Sequence, residues 1–236
     1  LARMDLSNPG KTTFYLHDPA NLASISNDTL FSLFQDRSGI LWVGSLNSGL
    51  NKLDLKNLQF RLYERSTGGL ASNLTGAITE TPDGKIWIGT WEAGLERFDQ
   101  ETGTFEHFPH DASQPDSLAS DLVMYILPDA DGTLWVATLG AGLDHFDPKT
   151  GKARHYVSDP ADPASLVDNN VVSLVKDGQG GLWVGTMNGL ARMDPVSGKF
   201  KRYQNDPANP ASLSNNAAVS FLLDGETLWV GTWGGG

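Results

Sequence analysis

Leu41-Trp42-Val43-Gly44 decides the fold because it returns four times, as Ile86-Trp87-Ile88-Gly89, Leu134-Trp135-Val136-Ala137, Leu182-Trp183-Val184-Gly185 and Leu228-Trp229-Val230-Gly231. The tryptophans are spaced 45, 48, 48 and 46 residues apart. A Gly-Leu pair follows at a nearly constant offset: Gly49-Leu50, Gly94-Leu95, Gly142-Leu143 and Gly189-Leu190. A period of this length is the mark of a repeat architecture, in which each copy buries its apolar face against its neighbours. Leu1-Ala2-Arg3-Met4-Asp5 repeats Leu190-Ala191-Arg192-Met193-Asp194, so the chain starts and stops inside a repeat and a fifth Gly-Leu is expected just beyond Gly236.

Each copy reads as four short strands. In the third they are expected at residues 122–127, 134–138, 143–146 and 153–156, with turns at 129–132 and 147–151. Short runs of Val, Ile, Leu and aromatic residues bounded by Asp, Pro and Gly are strand signals, and no segment carries a 3.6-residue period. In the Asp-x-x-Gly turns (Asp36 to Gly39, Asp129 to Gly132, Asp177 to Gly180), Gly supplies a positive φ and Asp caps the turn. Four strands per repeat of this length define a propeller blade. The expected fold is therefore all-β, a β-propeller of five four-stranded blade repeats in a single domain over 1–236, with units near 1–49, 50–94, 95–142, 143–189 and 190–236. Two arrangements fit. The chain is a fragment of a larger propeller, or a five-bladed ring in which residues 1–17 supply outer strands to inner strands near 217–232.

With 17 basic against 28 acidic residues the net charge is -11, which repels phosphate backbones and anionic headgroups and argues against nucleic acid or membrane contact. There is no cysteine, hence no disulfide or thiolate chemistry. No apolar run approaches the ~20 residues of a membrane span, and a signal peptide is expected to lie outside this chain.

In an up-and-down blade the loops between strands two and three share a face with the connections between blades. The first residue of those loops is apolar in every copy (Leu46, Trp91, Leu139, Met187, Trp233), which favours packing, although Trp91 and Trp233 could also stack on a flat ligand. The next residue varies in chemistry (Asn47, Glu92, Gly140, Asn188, Gly234), as a recognition position would. Tyr125 stands on an inner strand where the other copies have Ser32, Ala77, Ser173 and Ser220. The candidate ligand-binding set is Asn47, Trp91, Glu92, Tyr125, Asn188 and Trp233.

Other patterns have structural readings. The five repeated tryptophans are expected to pack between blades. Asp28, Asn73, Asp121, Asn169 and Asn215 or Asn216 precede the inner strands and are expected to cap turns, not to ring a metal. Asp129-Ala130-Asp131-Gly132 opens like a calcium loop but lacks the downstream Glu. The histidines (His17, His107, His110, His145, His155) do not pair at i, i+2 or i+4, so no zinc site, catalytic set or cofactor is expected.

Taken together, Asp-x-x-Gly-x-Leu-Trp-Val-Gly-Thr, the Gly-Leu step, the Asp-Pro-x-Thr-Gly-Lys turn and the Asp-Pro-Ala-x-Pro-x-Ser-Leu connection resemble the two-component regulator propeller family over essentially the whole chain. In the second copy Glu64 to Gly69 replaces the Asp-Pro pattern. The resemblance implies a periplasmic or extracellular sensor region, commonly in seven-bladed rings. It also implies that a further β-domain, a membrane span and a histidine kinase or diguanylate cyclase output follow in the parent chain, with a receptor dimer as a compatible assembly. The expected function is ligand sensing, with an oligosaccharide or other small molecule on the loop face. The alternatives are a propeller enzyme of lactonase or lyase type and a protein-docking propeller.

Overall fold

The computed structural model describes residues 1–8, 10–66 and 69–235; Pro9, Thr67, Gly68 and Gly236 lie outside them, including part of the expected Glu64 to Gly69 replacement and the end of the last face loop. The described residues form twenty strands and no helix, in two compact units, Leu1–His107 and Phe108–Gly236.

The first unit holds a ribbon of β1 (Ala2–Met4) and β2 (Thr12–Phe14). It also holds one antiparallel sheet of β3 (Leu30–Gln35), β4 (Ile40–Ser45), β5 (Leu50–Asp54) and β6 (Gln59–Tyr63), and a second of β7 (Thr75–Glu80), β8 (Ile86–Thr90), β9 (Leu95–Asp99) and β10 (Thr104–Phe108). In the second unit β11 (Val123–Pro128), β12 (Leu134–Thr138), β13 (Gly142–Asp147) and β14 (Lys152–Tyr156) make one sheet. Another is β15 (Val171–Lys176), β16 (Leu182–Thr186), β17 (Gly189–Met193) and β18 (Phe200–Tyr203), and β19 (Ala218–Asp224) pairs with β20 (Thr227–Thr232). Each four-stranded sheet is a meander in chain order, the blade expected from the repeat. The expected third-copy strands agree with β11 to β14 to within a residue at each end. The two terminal ribbons are separate two-stranded sheets, and among the described residues the ring-closing ladder expected between the ends is not formed.

The repeated tryptophan organises each blade. Trp42 Nε1 donates to Asp36 Oδ2 at 2.8 Å, Trp135 Nε1 to Asp129 Oδ2 at 2.9 Å and Trp183 Nε1 to Asp177 Oδ2 at 3.2 Å. In the second blade Thr81 Oγ1 takes the place of the carboxylate, at 3.1 Å from Trp87 Nε1. The indole thus ties the hairpin turn to the sheet and satisfies its own buried N–H. Burial pushes the Asp36, Asp129 and Asp177 carboxyls up, but hydrogen bonds from the turn, with Lys176 or Arg192 beside two of them, hold all three below the ordinary value. The cross-strand neighbour of each tryptophan on the third strand is a cation or a histidine (Lys52, Arg97, His145, Arg192). Their charged ends lie 5.2, 5.6 and 5.8 Å from the ring centres for Lys52, Arg97 and Arg192, and His145 stacks at 4.1 Å on Trp135.

Between blades the core is built of apolar side chains. In the first unit Trp42, Leu50, Tyr63, Leu70, Ile86, Ile88 and Phe98 form one cluster, with Trp42 edge-on to Phe98 at 5.7 Å. In the second, Trp135, Leu143, Leu166, Val184, Met193 and Phe200 belong to the cluster between its two full blades. Trp229 departs from the expected packing role. It is 61% exposed, because β19–β20 is a two-stranded sheet and no following sheet covers it.

Trp135→Ala is expected to lower stability by about 3–5 kcal/mol, the cost of emptying a large aromatic site in a packed core, while Trp229→Ala in this same chain should stay within about 0.5 kcal/mol of wild type. Denaturant unfolding of both variants checks the contrast.

Candidate functional site

The loops between second and third strands are held by a repeated set of bonds. Ser45 Oγ, Thr90 Oγ1, Thr138 Oγ1 and Thr186 Oγ1 donate to the carbonyls of Gly49, Gly94, Gly142 and Gly189 at 2.8, 3.0, 2.8 and 2.7 Å. The first loop residue is pinned through its N–H: Leu46 to Thr29 O, Trp91 to Leu74 O, Leu139 to Leu122 O, Met187 to Asn170 O and Trp233 to Ala217 O, at 2.9 to 3.1 Å. Gly49 is required at its place, since with φ +74° a Cβ there would stand 2.3 Å from Tyr63 O. The base of each loop is therefore anchored in the same way, and the loops differ at their tips.

The residues before the inner strands have a structural role, but it is not the expected local cap of the entry turn, which falls to Asn27, Ser72, Ser120 and Asn215. Asp28, Asn73, Asp121, Asn169 and Asn216 each accept, through Oδ1, the N–H that begins the preceding connection, at His17, Arg65, His110, Ser158 and Asn205. Of the two asparagines left open, Asn216 holds the repeated position, and Asn215 caps Ala217 instead.

In the first unit the structure brings Trp91 and Glu92 together with a residue not foreseen, Phe31. The Phe31 ring, 51% exposed, meets Trp91 edge to face at 4.7 Å. Trp91 lies over Gly76, where a Cβ would come within 2.5 Å of its Nε1, and the indole N–H is buried without a hydrogen-bond partner among the described residues. Glu92 is exposed and accepts from Ser72 Oγ at 3.3 Å. Asn47 is exposed at the tip of its own loop with φ +72°. The repeat-aligned column Phe31, Gly76, Met124, Val172, Val219 held the missing signal, since glycine in one copy makes room for an aromatic ring.

In the second unit Tyr125, Asn188 and Trp233 are all exposed. Tyr125 pairs with Ala137, whereas in the other copies Ser32, Ala77, Ser173 and Ser220 pair with Gly44, Gly89, Gly185 and Gly231. At Gly44, Gly185 and Gly231 a Cβ would lie 2.2 to 2.3 Å from the partner serine Oγ. The serine leans over a glycine; where alanine fills that space, the larger Tyr125 turns outward, 39% exposed. Asn188 is already engaged, its Oδ1 accepting from Asn216 Nδ2 at 3.2 Å and its carbonyl from Gln204 Nε2 at 2.9 Å. Trp233 is 73% exposed.

Asp129, Asp131 and His145 bring ligand-type atoms within 4.8 Å of one another. Lys176 Nζ sits 2.5 Å from Asp129 Oδ2, and Thr133 Oγ1 spans Asp131 Oδ1 at 2.5 Å and His145 Nε2 at 2.7 Å. Burial holds the His145 ring below its ordinary pKa. The lysine already neutralises the carboxylate a cation would need, so these groups form an ion-paired hairpin turn.

The blades with this geometry match the two component regulator propeller model at residues 24–47, 69–92, 117–140 and 165–188, each match running from the connection through the inner hairpin into the face loop. The fold is that of a β-propeller built from such blades. The chain carries two-component regulator propeller repeats at these four places. Among solved structures it is similar to the extracellular domain of BT4673 from B. thetaiotaomicron, described as a one component system, with 28% identity over 86% of this chain and 26% of that one and a TM-score of 0.71. It shares the fold of the extracellular domain of the hybrid two component system BT3049 of the same organism (22% identity, 96% and 35% covered, TM-score 0.70). The same holds for PorZ, a surface component of the type-IX secretion system of Porphyromonas gingivalis (18%, 97% and 34%, TM-score 0.71). The chain spans about a quarter to a third of the length of these proteins. No curated protein matches.

Thr90→Val is expected to cost about 1–3 kcal/mol by taking away the hydroxyl that accepts from Ala93 N–H and supplies one of the two bonds to the Gly94 carbonyl, read by denaturant unfolding, with a change in Trp91 environment reported by near-UV circular dichroism. A chelator should leave the melting temperature within a degree or two, because Lys176 and not a metal balances Asp129; a calorimetric scan with and without EDTA decides it.

Proposed function

We propose that this propeller segment is a ligand-sensing module of an extracytoplasmic receptor, and that its face loops recognise a neutral or cationic polyhydroxyl ligand such as an oligosaccharide. The observation that carries the reading is that the five face loops are pinned by the same backbone bond while their tip residues differ in chemistry. A framework role would repeat, whereas an irregular ligand is read by residues that do not. The extracellular setting of the similar receptor domain supports the placement, and a periplasmic or cell-surface position for this segment follows by analogy.

In the first unit Trp91 and Phe31 offer aromatic surface beside the Glu92 carboxylate, with Asn47 on a separate loop tip. In the second unit Tyr125 and Trp233 offer aromatic surface, and Asn188 offers an exposed amide. Aromatic faces supply contact area and the polar groups orient hydroxyls. The net charge of -11 disfavours an anionic polysaccharide. Signal output belongs to further domains of the parent chain, and a receptor dimer is compatible with that role.

Calorimetric titration of a panel of neutral oligosaccharides tests the reading. A binding member should lose about tenfold or more in affinity, a loss of at least 1.4 kcal/mol, on Trp91→Ala with Glu92→Ala for a first-unit site, or on Trp233→Ala with Tyr125→Ser for a second-unit site. Unchanged affinity in both folded double variants would remove the loop face from consideration.

A further inference from the structure

The third-strand residue that follows the leucine of the Gly-Leu step is buried in every four-stranded blade, and its chemistry changes from copy to copy: Asn51, Glu96, Asp144 and Ala191. Its task is to bond the connection leading into the blade. Asn51 Oδ1 accepts from Ser26 N at 2.9 Å, Glu96 from Ala71 N at 3.1 and 3.2 Å, and Asp144 Oδ2 from Ala119 N at 2.8 Å. On the fourth strand the corresponding residues are Leu62, His107, His155 and Arg202, eleven residues further on in each copy. Where the third strand carries a carboxylate, the fourth carries a histidine: His107 Nδ1 stands 3.2 Å from Glu96 Oε2, and His155 Nδ1 stands 2.6 Å from Asp144 Oδ1. In the fourth blade the arrangement is reversed. Ala191 makes no such bond, and Arg202 holds the connection through the carbonyls of Asp159, Asp162, Ser165 and Leu166.

His155 shows what the pairs require. Its Nε2 lies 2.9 Å from the carbonyl of Pro115, which can only accept, and its Nδ1 faces a carboxylate. Both bonds are made together only when the pair holds two protons, both on the ring or one on Nε2 and one on the carboxyl. The pair therefore clamps residues 115–119 at both ends, and losing one proton breaks one bond and leaves Asp144 uncompensated in a site that is 0% exposed. Other ionisable groups near the pair are His110, which bonds Leu118 O at 2.6 Å, and Asp116, itself paired with Lys152 at 2.5 Å. Around Glu96, Arg97 and Glu106 pair with each other from the adjoining strand positions, which point to the opposite face. Glu92 bears on the same connection through Ser72.

We propose that Glu96–His107 and Asp144–His155 are proton-operated latches: one proton bound to each pair fastens the connections at residues 69–74 and 116–122, and its loss slackens them. These connections end at Leu74 and Leu122, whose carbonyls hold the face loops through Trp91 N and Leu139 N, so the latches govern how firmly two of the loops are presented. The proposal stands on the clamp geometry and does not depend on whether the loops bind a ligand.

The direction follows from the groups themselves. Burial raises Glu96 from 4.5 to about 7 against the pull of the Ala71 and Ser72 N–H groups. Burial opposes charge on His155, but the hydrogen bond and the charge of Asp144 outweigh it, and the ring is raised above 6.5. Burial likewise raises Asp144. Each group binds its proton more tightly with the connection closed than with it open and solvated, so closure is favoured below neutral pH and weakens as the pH rises through the closed-state values.

Hydrogen–deuterium exchange of the whole chain, corrected for the intrinsic pH dependence of amide exchange, tests this segment by segment. Between about pH 5.5 and about pH 8, residues 69–74 and 116–122 should lose about tenfold in protection. Residues 25–29, held by Asn51, and 159–166, held by Arg202, should not change. Glu96→Gln should abolish the response of 69–74 alone, and Asp144→Asn that of 116–122 alone. His107→Gln and His155→Gln, which keep a polar side chain that cannot titrate in this range, provide a second pair should a carboxylate variant fail to fold. An equal pH response in all four segments, or a response that survives in the matched variant, overturns the proposal.

Discussion

Each four-stranded blade depends on one hydrogen bond, that of the tryptophan indole to the group at the head of the Asp-x-x-Gly turn. A bulky aromatic is needed to fill the space between neighbouring sheets, yet its N–H cannot be buried bare. Anchoring that N–H on the turn closes the first hairpin and fixes the ring in one rotamer. The ladder register then sets Lys52, Arg97, His145 and Arg192 of the third strand beside the ring. Thr81 in the second blade keeps the bond without the charge, so the constraint is on an acceptor at that place and not on a carboxylate.

Above this frame the connections solve a recurring problem by different means. A connection crossing the end of a blade has backbone groups that no ladder satisfies. Asn51, the two carboxylate–histidine pairs and Arg202 are three solutions, one neutral, one titratable and one permanently charged. All three occur in successive copies, so what is kept is that the connection is bonded to the blade, and neither the strand that bonds it nor the backbone group bonded is fixed.

The blade was legible in the sequence because its determinants recur: Trp, Gly, the turn Asp and the connection Asp-Pro each declare themselves by returning at a fixed offset. Contacts made once in the chain were not. Phe31 joins Trp91 only because Gly76 lacks a side chain, and nothing local to Phe31 signals a partner 60 residues away. The histidine pairs were hidden for a related reason. Tests at i, i+2 and i+4 look along a strand, whereas Asp144 and His155 face each other across a hairpin, and only the repeat-aligned columns put them side by side. Trp229 shares Leu-Trp-Val-Gly with Trp42 and Trp183, but Leu223 stands six residues before it where the other copies have Asp36, Thr81, Asp129 and Asp177, and it lies on a sheet of two strands, which is no part of the local pattern. The reading of Asn47, Glu92 and Asn188 as recognition residues rested on their variation, and the structure adds that Asn188 already spends much of its bonding capacity on Asn216 and Gln204.

The hydroxyl bond at the base of each face loop has a consequence for how such proteins diversify. It spans four residues in three blades but three in the fourth, where Thr186 reaches Gly189, and the strands on either side keep their register. A residue can be gained or lost at the tip without the change reaching the sheet. Duplication of a blade then delivers a finished mount with an interchangeable tip, and mutation can explore new surface chemistry in one copy while the others keep the scaffold intact.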